Sequence, residues 1–392
     1  MKIGIFTDSY TPSISGVVTS INMLKDGLEA LGHEVFIITT TKKHVKKSEE
    51  HIIRLKGFPF PFESLREYRF IVFPNLKVRK LKKYNFDIIH IHTEFTIGQL
   101  GLKLKKKCNI PLVYTMHTLY EDYIHHVSSF LEKHFKDEAV QIIRNTANKI
   151  IEKADVTFVP SAKILHLLKD VMHSHGEICV VPTGLELTPF YDENIKEEDI
   201  RKLKEKYGLK DNSLIWTYVG RIAPEKSIEF LIDAFADFRK THNNAKFLIV
   251  GGGYYEYEIL KYIKELKLEN DCILTGYVKW EVIPMYYHIG NCFVNASITE
   301  TQGLTFVEAL ASSCVVIARK DGAVEEIIKN GINGLIYETK EEMLEVIEKT
   351  VGDSKLVKKL KQNARLSSNP YTKEEYTKNA LNIYKKLVKN KS

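Results

Sequence analysis

The chain has 392 residues, 44% of them hydrophobic, and a formal net charge of +7. That length suits two packed domains better than one core, and no stretch of eighteen uncharged apolar residues is present to form a membrane-spanning helix. Five scattered cysteines (Cys108, Cys179, Cys272, Cys292, Cys314) include no CxxC pair, which argues against a disulfide framework or zinc site and suits the reduced thiols of a cytoplasm. The N-terminus runs directly into an apolar strand-like segment without a signal-peptide layout.

In chain order, β-rich apolar runs predict strands at 2–6, 34–40, 87–92, 112–116 and 156–160, then at 214–219, 246–250, 272–275, 292–295 and 315–318. Helical-period segments fall between them, notably 18–31, 227–239, 255–266 and 304–312. Strand, crossover helix, strand is the pattern of parallel sheets covered on both faces. The expected class is therefore α/β, with two Rossmann-like, doubly wound domains. Pro, Gly and Thr interrupt the pattern near 189–194, which predicts a first domain over 1–190 and a second over 191–370. A last helix over 373–389, in the terminal segment 371–392, is expected to cross back onto the first domain. Open α/β sheets bind ligands at the carboxyl ends of their strands, so a ligand is expected in a cleft between two facing domains.

The charge is uneven. Between 42 and 83 there are thirteen Lys or Arg against four Glu, so the remainder of the chain is slightly negative. Within this segment Phe58, Phe60, Phe62, Phe70, Ile71 and Phe73 alternate with Arg66, Arg69, Lys77, Arg79, Lys80, Lys82 and Lys83. Apolar groups that enter a headgroup boundary beside cations that meet acidic lipids make this a candidate membrane-binding surface. Pro74 predicts an extended stretch followed by a short helix from Asn75. The plain alternative is a solvated helix face beside a buried strand. Nucleic acid is not an expected partner, because no recognition motif accompanies the basic residues.

The richest segment is 297–311, SITETQGLTFVEALA. A helix beginning at Leu304 offers unpaired N–H groups to an anion. Gly303 lets that backbone approach a ligand. Glu308 lies one turn into the helix and Glu300 in the loop before it, and both carboxylates suit sugar or ribose hydroxyls. Ordinary solvated glutamates are the competing reading. Earlier, GRIAPEKS places Arg221 and Lys226 in a loop after a strand, as a diphosphate clamp would require. VGGGYY brings Gly251 and Gly252 to the end of the next strand, where backbone can approach a nucleotide closely. The first loop, FTDSYTPSISG, holds Gly16 but lacks G-x-G-x-x-G, which counts against NAD. His117, after the fourth strand, opens toward the same side, unless it is only a satisfied structural residue.

In chain order these loops make the sequence resemble retaining glycosyltransferase family 4, of the GT-B fold, over nearly its whole length. The elements that carry the likeness are GRIAPEKS, ETQGLTFVEALA and the NG-x-NG-L run at 330–335. The resemblance implies transfer of a sugar from a nucleotide donor. By it, Arg221 and Lys226 hold the donor diphosphate, Glu300 and the backbone from Gln302 through Gly303 to Leu304 hold sugar hydroxyls, and Glu308 holds the ribose. His117 contacts the transferred sugar, and Gly16 lies near the phosphates. Family members carry two glycines in that first loop, where this chain has Ser15-Gly16. Catalytic roles then fall to His117, Arg221, Lys226 and Glu300. Two further stretches, PSISGVVTSINMLKDGLEALGHEV and HTLYEDYIHHV, resemble bacterial diacylglycerol glucosyltransferases.

The Glu300 and Glu308 pair invites a glycosidase reading, but there both carboxyls flank the scissile bond, whereas here Glu308 is assigned to the nucleotide end. The expected chemistry is a UDP-sugar-dependent hexosyl transfer, with UDP-glucose as donor and diacylglycerol as acceptor, on the inner face of the membrane with anionic lipids as partners. No metal cofactor is expected for the chemical step, though Mg2+ could stimulate it. A transferase with a glycosylated-lipid, polysaccharide or soluble acceptor, a non-catalytic partner of the same fold, and a sugar-nucleotide epimerase remain alternatives.

Overall fold

The computed structural model describes residues 1–13, 15–41, 45, 48–59, 69–117, 141 and 144–391. The chain forms two compact units, Met1–Leu185 together with Lys373–Ser392, and Glu186–Thr372.

The first unit contains β1 (Lys2–Phe6), β2 (Glu34–Thr40), β3 (Ser48–Glu49), β4 (Ile52–Leu55), β5 (Phe58–Pro59), β6 (Arg69–Phe70), β7 (Ile88–Ile91), β8 (Leu112–Thr115), β9 (Val156–Val159) and β10 (Ile178–Val180). Its main sheet has the order β10-β9-β8-β7-β1-β2-β4-β3. All pairings are parallel except β3 with β4. Strands β7, β8 and β9 are buried at every residue, as continuous apolar runs must be when helices cover both faces of a sheet. One cover is the Gly16–Ala30 helix, against which the Lys373–Lys389 helix packs, with the Ser20 and Tyr376 hydroxyls 2.9 Å apart. β5 and β6 form a separate antiparallel pair.

The second unit contains β11 (Leu214–Val219), β12 (Ala245–Val250), β13 (Cys272–Leu274), β14 (Cys292–Asn295), β15 (Val315–Arg319) and β16 (Leu335–Tyr337), in the order β13-β12-β11-β14-β15-β16 and wholly parallel. Trp216, Phe235, Phe238 and Phe247 form the aromatic centre of its core.

All ten strands expected from the sequence are present, each end within one residue of its predicted place; the five helices expected with both ends fall within two residues, and the short helix expected from Asn75 begins at Pro74. β3, β4, β5, β6, β10 and β16, each of two to four residues, were not anticipated. The expected domain boundary at 190 is corrected to Leu185. The segment after Leu185 is held by the second unit, where Phe190 is fully buried against the rings of Tyr287 and Trp280 and its carbonyl oxygen lies 2.9 Å from His288 Nε2.

Both sheets reverse winding direction once, the first between β1 and β7 and the second between β11 and β14. Loops leaving the carboxyl ends of strands on either side of such a reversal diverge and leave a crevice. In the first unit these loops begin at Thr7 and His92, in the second at Gly220 and Ala296.

Candidate functional site

At the reversal in the second unit, the loop after β11 meets the loop after β14. Lys226 ends a short 3-10 turn, Pro224–Lys226, and its Nζ lies 2.7 Å from Glu300 Oε1 and 3.5 Å from Ser297 Oγ. Both charged side chains are largely buried. Two residues expected to hold different parts of a ligand are thus in direct contact. Arg221 takes another direction: its side chain is half exposed and its Nη2 donates to Glu225 Oε1 at 2.7 Å. Arg221 and Lys226 therefore share no partner among the described residues.

The Glu300 loop is anchored from below. Asn295 Oδ1 accepts from the Ser297 N–H at 2.8 Å, and the Asn295 carbonyl accepts from the Tyr337 hydroxyl at 3.0 Å. Gln302 is buried. Gly303 precedes the Leu304–Ala311 helix at φ +87°, a left-handed conformation unfavourable for other residues, and a Cβ there would lie 2.6 Å from the Phe306 ring. Leu304 opens the helix half-buried. Glu308 is no solvated surface carboxylate. Its Oε2 accepts from the Tyr287 hydroxyl at 2.8 Å, and burial pushes its carboxyl up to about 7 against hydrogen bonds from Tyr287 and Trp280 that hold it down. Glu300 and Glu308 therefore differ in kind, one paired with a cation and the other poised to titrate near neutrality.

The glycines after β12 have structural duties of their own. At Gly251, φ is +137° and a Cβ would lie 1.9 Å from the Gly220 carbonyl oxygen, so β11 and β12 can diverge here only with glycine. Gly252 lies beside Glu256, whose carboxylate accepts from the next N–H, that of Gly253, at 2.7 Å. The NG-x-NG-L run is a side-chain-locked turn. Asn330 Oδ1 accepts from the Ile336 N–H at 3.0 Å, and buried Asn333 bonds the Lys329 N–H at 2.6 Å and the Ile327 carbonyl at 2.9 Å.

In the first unit, Ser15 caps the Gly16–Ala30 helix by accepting from the Val18 N–H at 3.3 Å, which makes Gly16 its exposed first residue. His117 follows β8 and its Nε2 lies 2.8 Å from His92 Nδ1; burial pushes the His117 imidazole down to about 4, so it is neutral at physiological pH. Sequence reasoning passed over His90, His92 and Asp8. Asp8 is fully buried, with Oδ2 accepting from Thr93 Oγ1 at 2.7 Å and Oδ1 from Thr96 Oγ1 at 2.9 Å and the Ile97 N–H at 3.0 Å. It ties the loop after β1 to the start of the Thr96–Cys108 helix. Burial raises its carboxyl. The H-x-H at the end of β7 was the available signal. For Tyr287 and Trp280, which surround Glu308, the sequence offered none.

Of the basic and aromatic segment, Arg66, Phe60 and Phe62 lie outside the described residues, as does nearly all of HTLYEDYIHHV. The helix runs Pro74–Leu81, with Pro74 in its first turn, where no N–H is needed. Phe73, just before it, has φ +53° and is 71% exposed, with Phe58, Phe70 and Leu76 also more than half exposed. Arg79, Lys80, Lys82 and Lys83 are exposed, while Lys77 and Arg69 are half-buried. Ile71 is corrected: it lies in the core beside Val78 and Leu81 and offers nothing to a membrane. Among the described residues no helix is long and apolar enough to cross one.

Two family models match the chain, Glycosyltransferase Family 4 over residues 14–188 and Glycosyl transferases group 1 over 199–367. Alpha-monoglucosyldiacylglycerol synthase of Acholeplasma laidlawii is 39% identical over 389 residues, covering 99% of this chain and 98% of that one. The protein of the same name from Streptococcus pneumoniae is 35% identical over 341 residues, covering 86% and 75%. Among solved structures, sucrose-phosphate synthase of Thermosynechococcus elongatus superposes with a TM-score of 0.80 at 24% identity, covering 98% of both chains. Anabaena HepE in complex with UDP and glucose gives 0.76 at 19%, covering 98% of this chain and all of that one. The 39% identity over nearly the whole of the Acholeplasma synthase and the 35% identity over three quarters of the Streptococcus one, together with the two family models and a GT-B fold, show that this chain belongs to glycosyltransferase family 4 and is a sugar-transferring enzyme.

Proposed function

We propose that this enzyme moves glucose from UDP-glucose to the 3-hydroxyl of 1,2-diacylglycerol, with retention of configuration, to give alpha-monoglucosyldiacylglycerol at the inner membrane surface. The observation that carries this reading is the 39% identity, over almost the whole of both chains, to a protein named for that product. The exposed Phe58, Phe70, Phe73 and Leu76 beside Arg79, Lys80, Lys82 and Lys83 add support, since apolar side chains flanked by cations favour an anionic lipid surface.

In this reading Lys226, Arg221 and the N-terminal N–H groups of the Leu304–Ala311 helix stabilise the charge that grows on the departing diphosphate. The donor displaces Glu300 from Lys226, which frees the carboxylate for glucose hydroxyls. Glu308 receives the ribose hydroxyls, and His117 a substrate hydroxyl. The bond from the anomeric carbon to the diphosphate breaks as the one to the acceptor oxygen forms on the same face, and the acceptor proton passes to the departing phosphate oxygen. No metal takes part in the step.

The test is incubation with UDP-glucose or UDP-galactose, with and without diacylglycerol in vesicles containing an anionic lipid, followed by product analysis. A glucolipid formed only from UDP-glucose and diacylglycerol supports the reading. A product on a soluble acceptor alone, or donor turnover with no acceptor, sinks it.

A further inference from the structure

Behind His117 a chain of buried side chains crosses the first unit to the C-terminal helix. His117 Nε2 lies 2.8 Å from His92 Nδ1, His92 Nε2 lies 3.3 Å from His90 Nδ1, and His90 Nδ1 lies 2.6 Å from the Tyr384 hydroxyl. His90 Nε2 reaches Thr115 Oγ1 at 2.6 Å. The alignment follows from the pleat. Positions 90 and 92, and 115 and 117, are two residues apart on or just beyond the neighbouring parallel strands β7 and β8, so each pair points to one face of the sheet. That face is the one on which Tyr384 of the Lys373–Lys389 helix packs.

Burial drives all three imidazoles well toward the neutral form, and a neutral imidazole carries one N–H and one bare nitrogen. Two directions of donation are then self-consistent. In one, His90 Nδ1 is bare and accepts the Tyr384 O–H at 2.6 Å, with the His92 Nε2–H directed at the same lone pair at the longer 3.3 Å; His90 Nε2–H donates to Thr115, and His117 Nε2–H donates to His92 Nδ1. In the other every arrow is reversed, and the Tyr384 oxygen only accepts. Each direction leaves one hydroxyl proton without an acceptor among the described residues, that of Thr115 in the first and that of Tyr384 in the second; the phenol is the more acidic donor and is wholly buried, so leaving its proton unmet costs more than leaving that of Thr115. The first direction wins. It leaves Nδ1 as the bare nitrogen of His117, an atom with no hydrogen bond to any described residue and not among the buried unpaired polar atoms.

We propose that Tyr384 and His90, acting through His92, hold His117 as its Nε2–H tautomer, so that His117 Nδ1 presents a hydrogen-bond acceptor to a substrate hydroxyl. Tyr384, His90 and His92 are positioning residues. The inference rests on the participation of His117 in the transfer proposed above.

The test is two-bond proton–nitrogen NMR on the full-length enzyme labelled with 15N-histidine, paired with kinetics on UDP-glucose and diacylglycerol vesicles. His117 Nδ1 is expected to resonate as a bare nitrogen and Nε2 as a protonated one. Tyr384→Phe, which deletes one hydroxyl, is expected to shift His117 toward a mixture of tautomers. It should also lower kcat about five- to tenfold, the size of one buried hydrogen bond, with KM for UDP-glucose within about twofold. Tyr376→Phe, on the same helix but bonded to Ser20, should leave the His117 tautomer unchanged. A wild-type His117 protonated at Nδ1 overturns the proposal, as does a Tyr384→Phe spectrum identical to wild type. Undiminished transfer by His117→Ala would instead overturn the role of His117 in the reaction, while the wild-type spectrum still decides the tautomer.

Discussion

Lys226 Nζ and Glu300 Oε1 lie 2.7 Å apart although 74 residues separate them in the chain. The two opposite charges meet in a partly buried setting, and removal of either costs the other this ion pair. Lys226→Ala is expected to lower kcat about 10²- to 10³-fold, the range seen when one group that stabilises a developing anion is deleted. Glu300→Gln should also be severe. Because the two act as a unit, the double variant should be little worse than the worse single one. Steady-state kinetics on the four proteins checks this, and strictly additive losses would show that the pair is not a functional unit.

Glu308 should make donor binding depend on pH. Its carboxyl is raised to about 7 by burial, so the carboxylate, the better acceptor of two ribose hydroxyls, forms as pH rises through 7. KM for UDP-glucose is expected to fall between pH 6 and pH 8, by up to about tenfold per pH unit below the transition. Glu308→Gln should raise KM and flatten the profile. A wild-type-like slope in that variant would place the titrating group elsewhere.

Replacement of Arg79, Lys80, Lys82 and Lys83 with Gln should weaken binding to anionic vesicles by at least about 10²-fold, given roughly 1 kcal/mol for each cation near the surface. Raised salt should act in the same direction. Phe73→Ser should weaken binding to neutral and anionic vesicles alike. Sedimentation with vesicles of defined composition measures both, and unchanged binding after the fourfold replacement would assign this surface to something other than lipid.

The buried histidines should make the first unit sensitive to acid. Burial lowers His90, His92 and His117 in the folded state, so below about pH 6.5 the unfolded chain binds more protons than the folded one. Stability is therefore present above that pH and is lost as pH falls from about 6.5 toward 4. Asp8, whose buried carboxyl is raised, contributes with the opposite sign, so the informative quantity is a difference between proteins. Thermal melts at pH 7.5 and 5.5 should show a smaller drop in Tm for His92→Asn than for wild type.

Much of this molecule was legible in its sequence. Apolar runs of four to seven residues alternating with helical periods specified both parallel sheets, because period and length are local properties that side-chain burial imposes directly. The motif loops could be placed at strand ends for the same reason. The chain from Arg221 to Lys226, the loop from Glu300 to Gly303 and His117 each follow a strand whose end was predicted within one residue.

Pairing across the sheets was not legible. That Lys226 meets Glu300 follows from β11 lying beside β14, where the winding reverses. That the Glu308 carboxyl is raised to about 7 follows from its burial, which outweighs the hydrogen bond it accepts from Tyr287, 21 residues away on another helix. That the imidazole chain behind His117 ends on the Tyr384 hydroxyl, 294 residues beyond His90, follows from the packing of the C-terminal helix on that face of the sheet. The sequence by itself determined the elements and the chemical groups at their ends. Tertiary structure decided which groups are paired, which are buried and which are neutral, since burial and hydrogen-bond partners arise only when distant segments pack together.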